Sequence, residues 1–261
     1  MIVGLLHPGE MGSALAAVLR ARDVSVLWAS ADRSAETTRR AQDADLEDAR
    51  TVDEVARRSD IILSVCPPHA AEHVARSVAG FQGVFVDANA VAPATARAIA
   101  SIVEATGARY VDGGIIGPPP RDGAATRLYL AGAQAPEVAE LFINSAVAAR
   151  VLPDRNDAAS ALKMVYAAWT KGTAALVLAI RAVARAEGVE ETLLDEWRHS
   201  LPDLPERSRR AARSAAAKGW RWVAEMEEIA STFGATGLPT GFHQAAAEVF
   251  RRPPDTFLPT P

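Results

Sequence analysis

Lysine is scarce in this chain, and one lysine is placed where it could exchange a proton. Among 28 basic residues, the lysines are Lys163, Lys171 and Lys218. Arginine keeps its proton at ordinary pH, whereas burial can lower the pKa of a lysine towards neutrality. At about 100° per helical residue, one face of the segment holds Asn156, Lys163, Tyr166, Thr170 and Ala174. We therefore predict a general acid or base at Lys163 and a structural Lys171, with a Lys163 that reaches solvent from a dimer interface as the alternative.

The stretch HPGEMG, residues 7–12, is typical of a turn that binds the phosphates of a dinucleotide. It follows an apolar run and precedes an alanine-rich segment, with Gly9 and Gly12 in the second and third places of the GxGxxG pattern. Gly9 allows a pyrophosphate to approach the backbone, and Gly12 allows close helix packing. His7 fits the first place if it avoids positive φ, which Pro8 favours; a tight turn without a ligand is the alternative. The predicted cofactor-binding residues are His7, Pro8, Gly9, Glu10, Met11 and Gly12.

The second apolar run, VSVLWASADRS, indicates which nucleotide the turn binds. An acidic residue at the end of this strand marks NAD, because it reaches the ribose hydroxyls. Ser30 takes that place, and Ser30, Arg33 and Ser34 suit the 2′-phosphate of NADP if Asp32 turns outward. We therefore predict NADP as the cofactor, with NAD as the alternative and a merely solvated Arg33 as the structural interpretation.

Composition and charge argue against several classes of partner. The net charge of −4, without a basic block, makes nucleic acid an unexpected partner. A single cysteine, Cys66, excludes an internal disulfide and favours a reducing compartment. We expect no metal, since His69 and His73 lack a third ligand at a suitable spacing, and no membrane, since no apolar run reaches the roughly 18 residues of a span. With no cleavable signal recognised, we expect a cytoplasmic protein.

Two kinds of pattern follow one another along the chain. In residues 1–155, apolar runs alternate with helical segments, which predicts an α/β, Rossmann-type, doubly wound parallel sheet that binds NAD(P) at the carboxyl ends of its strands. Residues 156–261 predict an all-α substrate and dimerisation domain. It begins with one long helix, Ala158–Ala186, and continues in shorter pieces broken at SLPDLPERS and GATGLPTGF, before a proline-rich tail, RRPPDTFLPTP, without packed helix.

The bounds of the elements in the first domain follow from the same patterns. The predicted strands are Ile2–Leu6, Val24–Trp28, Asp60–Val65, Val84–Asp87, Tyr110–Gly113 and Arg127–Ala131. The predicted helices are Met11–Ala21, Ala35–Gln42, Val52–Arg57, Ala70–Val78, Pro93–Thr106 and Pro136–Asn144.

Six motifs occur in the order in which they occur in β-hydroxyacid dehydrogenases. They are LLHPGEMGSALAAVLRA, SDIILSVCPP, FVDANAVAP, RYVDGGIIGPPP, RLYLAGAQAPEVAELF and SALKMVYAAWTKG. Each motif alone is loose, but six in one order are fairly specific. The chain therefore resembles this family, the group around 3-hydroxyisobutyrate dehydrogenase, whose cofactor domain is like that of 6-phosphogluconate dehydrogenase. Its closest resemblance is to an uncharacterised branch with its own helical C-terminal domain.

The resemblance assigns residues to the cofactor and to the substrate. In the family, the segment that matches Cys66, Pro67 and Pro68 passes the ribose and nicotinamide, and Asn89 is implied to contact nicotinamide or substrate. The substrate-binding segment appears as GGIIG, in which Ile116 replaces the family's serine. This departure points to a bulkier or less polar substrate than a small hydroxy acid, held by backbone amides, with glycines kept for strand geometry as the alternative. The implied substrate-binding residues are Asn89, Gly114, Ile115, Ile116, Gly117 and Thr170.

The resemblance also implies a reaction. Lys163 matches the family's catalytic lysine, which implies hydride transfer between nicotinamide and a β-hydroxy acid or related carbonyl, with Lys163 exchanging the alcohol proton. Tyr166 stands where the family has an asparagine, and is implied to orient Lys163 or to donate to the substrate. An imine reductase on the same scaffold and an NADP-binding sensor without turnover are the alternatives.

The C-terminal domain is expected to contribute a dimer interface and pocket residues. The long alanine-rich helix is hard to bury in a monomer of this size, so we expect a homodimer through this domain that acts on a small molecule. Glu225, Met226 and His243 are candidate pocket residues, with core packing as the alternative. Trp220 and Trp222 are interpreted as core residues. The identity of the substrate does not follow from the sequence.

Overall fold

A computed structural model describes residues 1–120, 125–153, 155–253 and 256. The described strands are β1 (Ile2–Leu6), β2 (Ser25–Trp28), β3 (Glu47–Asp48), β4 (Ile61–Ser64), β5 (Val84–Asp87), β6 (Arg109–Ile116), β7 (Thr126–Ala131) and β8 (Val147–Val151). They form one sheet in the order β3-β2-β1-β4-β5-β6-β7-β8. Neighbouring strands are parallel except β6 and β7, which are antiparallel. The predicted Rossmann-type, doubly wound sheet is confirmed.

Six α-helices and one 3-10 turn connect these strands in the described chain. They are α1 (Glu10–Arg20), α2 (Ala35–Asp43), α3 (Val52–Arg58), the 3-10 turn Pro68–Ala70, α4 (Ala71–Arg76), α5 (Pro93–Glu104) and α6 (Ala135–Glu140). Side chains of the central strands alternate between two cores, because successive residues of a strand point to opposite faces. Leu63 and Val86 pack in one core, and Ile62 and Phe85 pack in the other. Burial on both faces explains why these strands are continuous apolar runs.

The sheet differs from the prediction at both edges and between β6 and β7. The sequence predicted neither β3 nor β8, which are the two outer strands, and it ended β6 at Gly113 rather than Ile116. β6 and β7 are antiparallel because the connection between them is shorter than the dozen or so residues that a parallel crossover needs. The extra residues of β6 carry it past the end of β5.

The C-terminal part is helical, as predicted. Its helices are α7 (Ala158–Ala186), α8 (Glu190–Ser200), α9 (Leu204–Ala235) and α10 (Gly241–Arg251). The predicted breaks at SLPDLPERS and GATGLPTGF both occur, but α9 is one helix of 32 residues rather than a short piece. In the predicted tail, residues 254, 255 and 257–261 lie outside the described residues. The chain divides into two compact units, Met1–Lys163 and Met164–Pro261, so the division falls within α7.

Helix α7 corrects one expectation about the membrane. In the described part of the chain it is long and apolar enough to span a bilayer, although the sequence was interpreted as containing no such segment. The apolar character of this helix was missed because many of its apolar residues are alanines, which do not form a continuous run of large apolar side chains. Length and composition alone are weak evidence for a span, because core helices of globular proteins meet the same criterion.

Candidate functional site

The turn after β1 brings backbone amides to the carboxyl edge of the sheet. The Gly9 amide donates to the His7 carbonyl at 2.8 Å, and α1 begins immediately afterwards at Glu10. A Cβ on Gly12 would lie 2.7 Å from the His7 carbonyl oxygen, so α1 approaches the turn this closely because residue 12 is glycine. A Cβ on Gly9 would meet no described atom within 4 Å. The turn therefore leaves room beside Gly9, where the sequence predicts a pyrophosphate.

The prediction for the backbone of His7 is wrong. Its φ of +73° lies in the left-handed region, rather than the extended region expected before Pro8. The tight turn accounts for this strain, because the His7 carbonyl has to turn back towards the Gly9 amide. The His7 Nδ1 atom is buried without a hydrogen-bond partner among the described residues. Burial, followed by the charge of Arg33, lowers the pKa of His7 to about 4, so the imidazole is neutral at physiological pH.

The other predicted residues of the turn have different surroundings. Pro8 is buried and Glu10 is exposed at the first residue of α1. Met11 is half-buried and packs against one of the two cores. In the described residues, no side chain caps the amides at the start of α1. Those amides are therefore available to an anion.

The loop after β2 places a cation near this turn. Arg33 is close enough to His7 for its charge to add to the effect of burial in lowering the pKa of the imidazole, and its charge also acts weakly on Cys66. Its Nε atom is buried and has no hydrogen-bond partner within the described ranges. Asp32 is exposed, which is what binding of a 2′-phosphate beside Arg33 requires. An unpaired guanidinium nitrogen near the predicted phosphate-binding turn fits a second phosphate group.

The two predicted serines near Arg33 are placed differently. Ser30 is half-buried at the end of β2. The Ser34 hydroxyl accepts the Thr37 amide at 3.2 Å, and it thereby caps the N-terminus of α2. Ser34 thus has a structural function that the sequence analysis did not anticipate.

Asn89 connects the loop after β4 to the end of β5. Its Oδ1 atom accepts the Cys66 amide at 2.5 Å, while its Nδ2 atom donates to Ser64 Oγ at 3.1 Å and to Asp87. Because Asn89 is only 3% exposed, these contacts use its amide group. The structure therefore makes Asn89 a brace for the loop that begins at Cys66, and its contact with nicotinamide or substrate stays a prediction.

The loop that Asn89 braces contains the predicted ribose-side residues. Burial, followed by the charge of Asp87, raises the pKa of the Cys66 thiol to about 12, so the thiol stays protonated and unreactive. Pro67 is exposed, and Pro68 is buried as the first residue of the 3-10 turn. His69 and His73 are both exposed, and the described residues contain no group of three or more side chains that could hold a metal ion.

Two buried carboxyl groups lie side by side under this edge of the sheet. Asp87 and Asp112 are register partners on β5 and β6, with exposures of 1% and 0%. Burial, followed by the charge of Asp112, raises the pKa of Asp87 to about 7. Burial also raises the pKa of Asp112 to about 6, against the hydrogen bonds that Asp112 accepts from Ser160. Tyr110 interacts with Asp87, and burial raises its pKa well above the ordinary value.

The first turns of α7 pack against the extension of β6. A Cβ on Gly114 would lie 2.7 Å from the Ala159 carbonyl oxygen and 3.4 Å from Lys163 Cβ, so helix and strand touch at this glycine. Lys163 is half-buried, and its Nζ atom donates to the Ile115 carbonyl at 2.7 Å. The Lys163 ammonium therefore lies beyond the end of β5, at the edge of the sheet that also carries the dinucleotide turn.

The remaining residues of the predicted substrate segment are two packed isoleucines and a glycine with an unusual backbone conformation. Ile115 and Ile116 are 7% and 4% exposed, and the Ile115 carbonyl is used by Lys163. Gly117 has φ of +123°, and a Cβ there would lie 2.6 Å from the Ala125 carbonyl oxygen. Gly114 and Gly117 thus have geometric reasons to be glycine. Their binding of a substrate stays a prediction.

Several predicted residues belong to the second unit. Tyr166 is 44% exposed on α7, and Thr170 lines a cavity of about 600 Å³ formed by residues of α7 and α9. Lys171 forms an ion pair with Glu225, and both side chains are 15% exposed, which agrees with a structural Lys171. The predicted catalytic function of Tyr166 and the predicted substrate-binding function of Thr170 therefore stay predictions.

The other C-terminal candidates divide between core and surface. Met226 is fully buried, whereas Trp220 is 63% exposed and is not the core residue that the sequence suggested. Trp222 packs edge-on against Phe250, with 5.1 Å between the centroids of the two rings. His243 is 4% exposed, and its Nδ1 atom has no hydrogen-bond partner in the described chain. Burial lowers the pKa of His243 below its ordinary value.

The polar residues beneath the site were not predicted from the sequence. Asp112 and Ser160 are both 0% exposed and are hydrogen bonded to each other, although they are far apart in sequence. The available signal was a carboxylate inside a buried strand, which is rare unless the carboxylate has a partner. The partner itself gave no signal, because Ser160 resembles any small residue of an alanine-rich helix.

The geometry of the first unit fits a dinucleotide. Open space at Gly9, uncapped amides at the start of α1 and the unpaired Arg33 Nε would hold the phosphates. The loop from Cys66 to Pro68 and the ammonium of Lys163 lie along the same edge of the sheet. A proton donor placed at this edge suits a reaction in which a carbonyl oxygen gains a proton.

Known proteins resemble this chain in sequence and structure over most of its length. An uncharacterized 28.5 kDa protein from Methanothermus fervidus is 27% identical over 196 residues, which cover 75% of each chain. A conserved protein of unknown function, whose solved structure was described as similar to 3-hydroxyacid dehydrogenases, is 27% identical with a TM-score of 0.70 over 95% of this chain and 96% of that one.

More distant solved structures share the fold. A 3-hydroxyisobutyrate dehydrogenase from Salmonella typhimurium has a TM-score of 0.73 at 17% identity and covers 96% of this chain and 93% of its own. A reductive aminase from Aspergillus terreus in complex with NADPH has a TM-score of 0.60 at 20% identity, over 96% and 92% of the two chains. At these identities the likeness shows the fold alone.

Family models cover both parts of the chain. The NAD binding domain of 6-phosphogluconate dehydrogenase matches residues 2–142, and DUF1932, a domain of unknown function, matches residues 184–252. Because the first model spans more than half of the chain, the protein belongs to the family with the NAD binding domain of 6-phosphogluconate dehydrogenase, in a branch that carries DUF1932 after it.

Proposed function

We propose that this protein is an NADP-dependent oxidoreductase that acts on a β-hydroxy acid or a related alcohol and carbonyl pair. The observation that carries the proposal is the hydrogen bond between Lys163 Nζ and the Ile115 carbonyl, at 2.7 Å. It holds an ammonium at the edge of the sheet where dinucleotides bind in folds of this kind. The nicotinamide ring, when bound, supplies the hydride.

The residues of the first unit would hold the cofactor by its phosphates. The amides at the start of α1 favour an anion, because they have no partner within the helix and lie at its positive end. Arg33 would pair with the 2′-phosphate, and this pairing is our reason for proposing NADP rather than NAD. The proline loop braced by Asn89 would line the ribose side.

Lys163 would exchange the proton of the reaction. When a carbonyl is reduced, its oxygen gains negative charge, and an ammonium within hydrogen-bond reach donates a proton to it. When an alcohol is oxidised, the neutral amine accepts that proton. The Ile115 carbonyl orients the amine in either state, because it accepts a hydrogen from Nζ.

An imine reductase is the second candidate, because reductive aminases share the fold. Reduction of a carbonyl needs a proton donor for the carbonyl oxygen. An imine takes up its proton at nitrogen, and it can do so before it binds. Lysine at position 163 favours the alcohol and carbonyl pair. A sensor that binds NADP without turnover is the third candidate.

The decisive experiment compares wild type with two lysine variants on a panel of carbonyl compounds with NADPH, in the presence and absence of small amines. We expect NADPH oxidation with a carbonyl alone, and a loss of about 100-fold or more in kcat for Lys163→Ala, the range for removing a general acid. Lys218→Ala is the matched control and should retain full activity. NADPH binding, measured by its fluorescence, should persist in both variants.

Each alternative has its own outcome in this experiment. Turnover that requires both a carbonyl and an amine would favour the imine reductase. Tight NADPH binding without turnover on any compound would favour the sensor. Full activity in Lys163→Ala would overturn the proposed function of the lysine.

We further propose that the protein is a cytoplasmic homodimer that binds its substrate as a small molecule. Large apolar side chains are exposed along α7 in the second unit, and a second copy would cover them. The net charge of −4 supports neither nucleic acid nor an anionic membrane surface as a partner.

A further inference from the structure

The first turn of α7 is attached to β6 through a buried carboxylate. The Oδ2 atom of Asp112 accepts the Ser160 amide at 2.8 Å, and its Oδ1 atom accepts the Ser160 hydroxyl. Both residues are 0% exposed. Amides in the first turn of a helix have no partner within the helix, so a carboxylate there satisfies them and interacts favourably with the helix dipole. Asp112 therefore caps α7 from the sheet.

Two further contacts join the same short segments of strand and helix. At Gly114, strand and helix touch, since a Cβ on this residue would meet the Ala159 carbonyl oxygen at 2.7 Å. At Ile115, the backbone carbonyl accepts Lys163 Nζ at 2.7 Å. The cap, the close contact and the lysine thus lie within residues 112–115 of β6 and 159–163 of α7. Because a helix is stiff over one turn, fixing its start also fixes the residues that follow.

We propose that Asp112 is a positioning residue, which caps α7 through Ser160 and thereby holds the Lys163 ammonium at the Ile115 carbonyl. This inference rests on the proposed function, in which Lys163 exchanges the proton of the substrate. Asp112 itself does not contact the reacting atoms, because its carboxylate is buried and bound to Ser160. Loss of the cap leaves the start of α7 free to move away from β6, and the lysine moves with it.

The small number of lysines allows a test that needs no substrate. Lys163, Lys171 and Lys218 are the lysines of the chain, so brief treatment with acetic anhydride at pH 8, followed by peptide mass spectrometry, gives a separate acetylation rate for each amine. Lys218 serves as the internal reference. The measurement is made on full-length wild type, Asp112→Ala, Asp112→Asn and Ser160→Ala, with and without NADPH.

We expect Asp112→Ala to raise the acetylation rate of Lys163 relative to Lys218 by about fivefold or more, the effect of losing one good cap. Ser160→Ala should raise it by less, since the Ser160 amide can still donate. Asp112→Asn keeps an acceptor oxygen and should restore most of the protection. Ser208→Ala is the matched control, because Ser208 is a 0% exposed serine near the start of another long helix, α9, and it should leave the Lys163 rate unchanged.

Two results would overturn the proposal. One is an absolute acetylation rate of Lys163 that changes in neither Asp112→Ala nor Ser160→Ala. The other is an equal acceleration of all three lysines, which would mean that Asp112 serves general stability only. If Asp112→Ala does not fold, Ser160→Ala and Asp112→Asn still give the comparison.

The labelling result separates this proposal from the proposed function. Asp112→Ala could selectively expose Lys163 to labelling while Lys163→Ala keeps full activity. This combination would support positioning of Lys163 by Asp112 and would reject Lys163 as the catalytic residue. Where the carbonyl panel yields turnover, Asp112→Ala should lower kcat about tenfold, in line with the lost cap, and leave the KM for NADPH unchanged. A fall in kcat accompanied by an equally large rise in the KM for NADPH would count against positioning.

Discussion

Asp87 and Asp112 face each other as register partners on neighbouring parallel strands, and both carboxyl groups are almost fully buried. Asp87 is hydrogen bonded to Asn89, which also binds the Cys66 amide in the loop after β4, whereas Asp112 is hydrogen bonded to Ser160 at the start of α7. The pair therefore connects the two sides of the site within one unit. Two buried carboxylates side by side on neighbouring strands repel each other, because no water screens their charges. Protonation of one of them relieves the repulsion.

This pair predicts an unusual dependence of stability on pH. The folded protein raises the pKa of Asp87 to about 7 and that of Asp112 to about 6, so it holds these protons more tightly than the unfolded chain. The contribution of the two carboxyl groups to stability is complete below about pH 4 and is lost as the pH rises through 6 and 7. Each tenfold difference in proton affinity between the folded and unfolded chains corresponds to about 1.4 kcal/mol of stability. Asp87→Asn should remove much of this loss.

Urea unfolding of wild type and Asp87→Asn between pH 4 and 8 measures the effect. The stability of the variant relative to wild type should increase as the pH rises through 7. His7, whose lowered pKa acts in the opposite direction, is present in both proteins and cancels from the comparison. Parallel stability curves for the two proteins would contradict the raised pKa of Asp87.

The two glycines of the dinucleotide turn should respond differently to alanine. A Cβ at Gly9 enters open space, so Gly9→Ala should cost less than about 1 kcal/mol of stability, yet it fills the room of the pyrophosphate and should weaken NADPH binding about tenfold or more. A Cβ at Gly12 meets the His7 carbonyl, so Gly12→Ala should destabilise the protein by about 1–3 kcal/mol. Thermal unfolding and NADPH fluorescence titration provide the two readouts. Equal NADPH affinity in wild type and Gly9→Ala would refute the phosphate position.

The fold could be predicted where local pattern and tertiary structure agree. β4 and β5 are buried on both faces and therefore appear as continuous apolar runs. β3, in contrast, consists of Glu47 and Asp48 at the edge of the sheet, where exposure removes the hydrophobic signal. β8 is also an edge strand, and most of its residues are exposed or half-buried. Edge strands are held by backbone hydrogen bonds, which the sequence does not record.

The sequence singles out candidate site residues where one residue type suits the predicted chemistry, and their functions stay predictions. The glycines of the turn and the rare Lys163 stand out because other residues cannot replace them easily. The positive φ of His7 was missed, since the rule for residues before proline describes a local preference that the closed turn overrides. The contact between Asp112 and Ser160 was missed because it joins distant segments, and its geometry exists only after the sheet and helix have formed.

Arg33 should determine the choice between the two nicotinamide cofactors. Its buried, unpaired Nε lies near the predicted phosphate-binding turn, so Arg33→Ala should weaken NADPH binding by about tenfold or more, the strength of a charge-assisted pair. NADH lacks the 2′-phosphate, and its affinity should change little. Arg39→Ala removes the same charge from an exposed position on α2 and is the control. An equal loss of affinity for both cofactors in Arg33→Ala would show that Arg33 does not contact the 2′-phosphate.

The exposed stripe of α7 should form a contact between two copies of the chain. Large apolar side chains recur along this helix at spacings of three, four and seven residues, at Val165, Trp169, Leu176, Ile180 and Val183, and they are 37% to 63% exposed. We expect wild type to have the mass of a dimer at micromolar concentration by light scattering. Trp169→Asp should shift the protein towards monomer, because it buries a charge in the interface. Trp220 is also 63% exposed but lies on α9, so Trp220→Asp should leave the dimer intact. A monomer mass for wild type would reject the dimer.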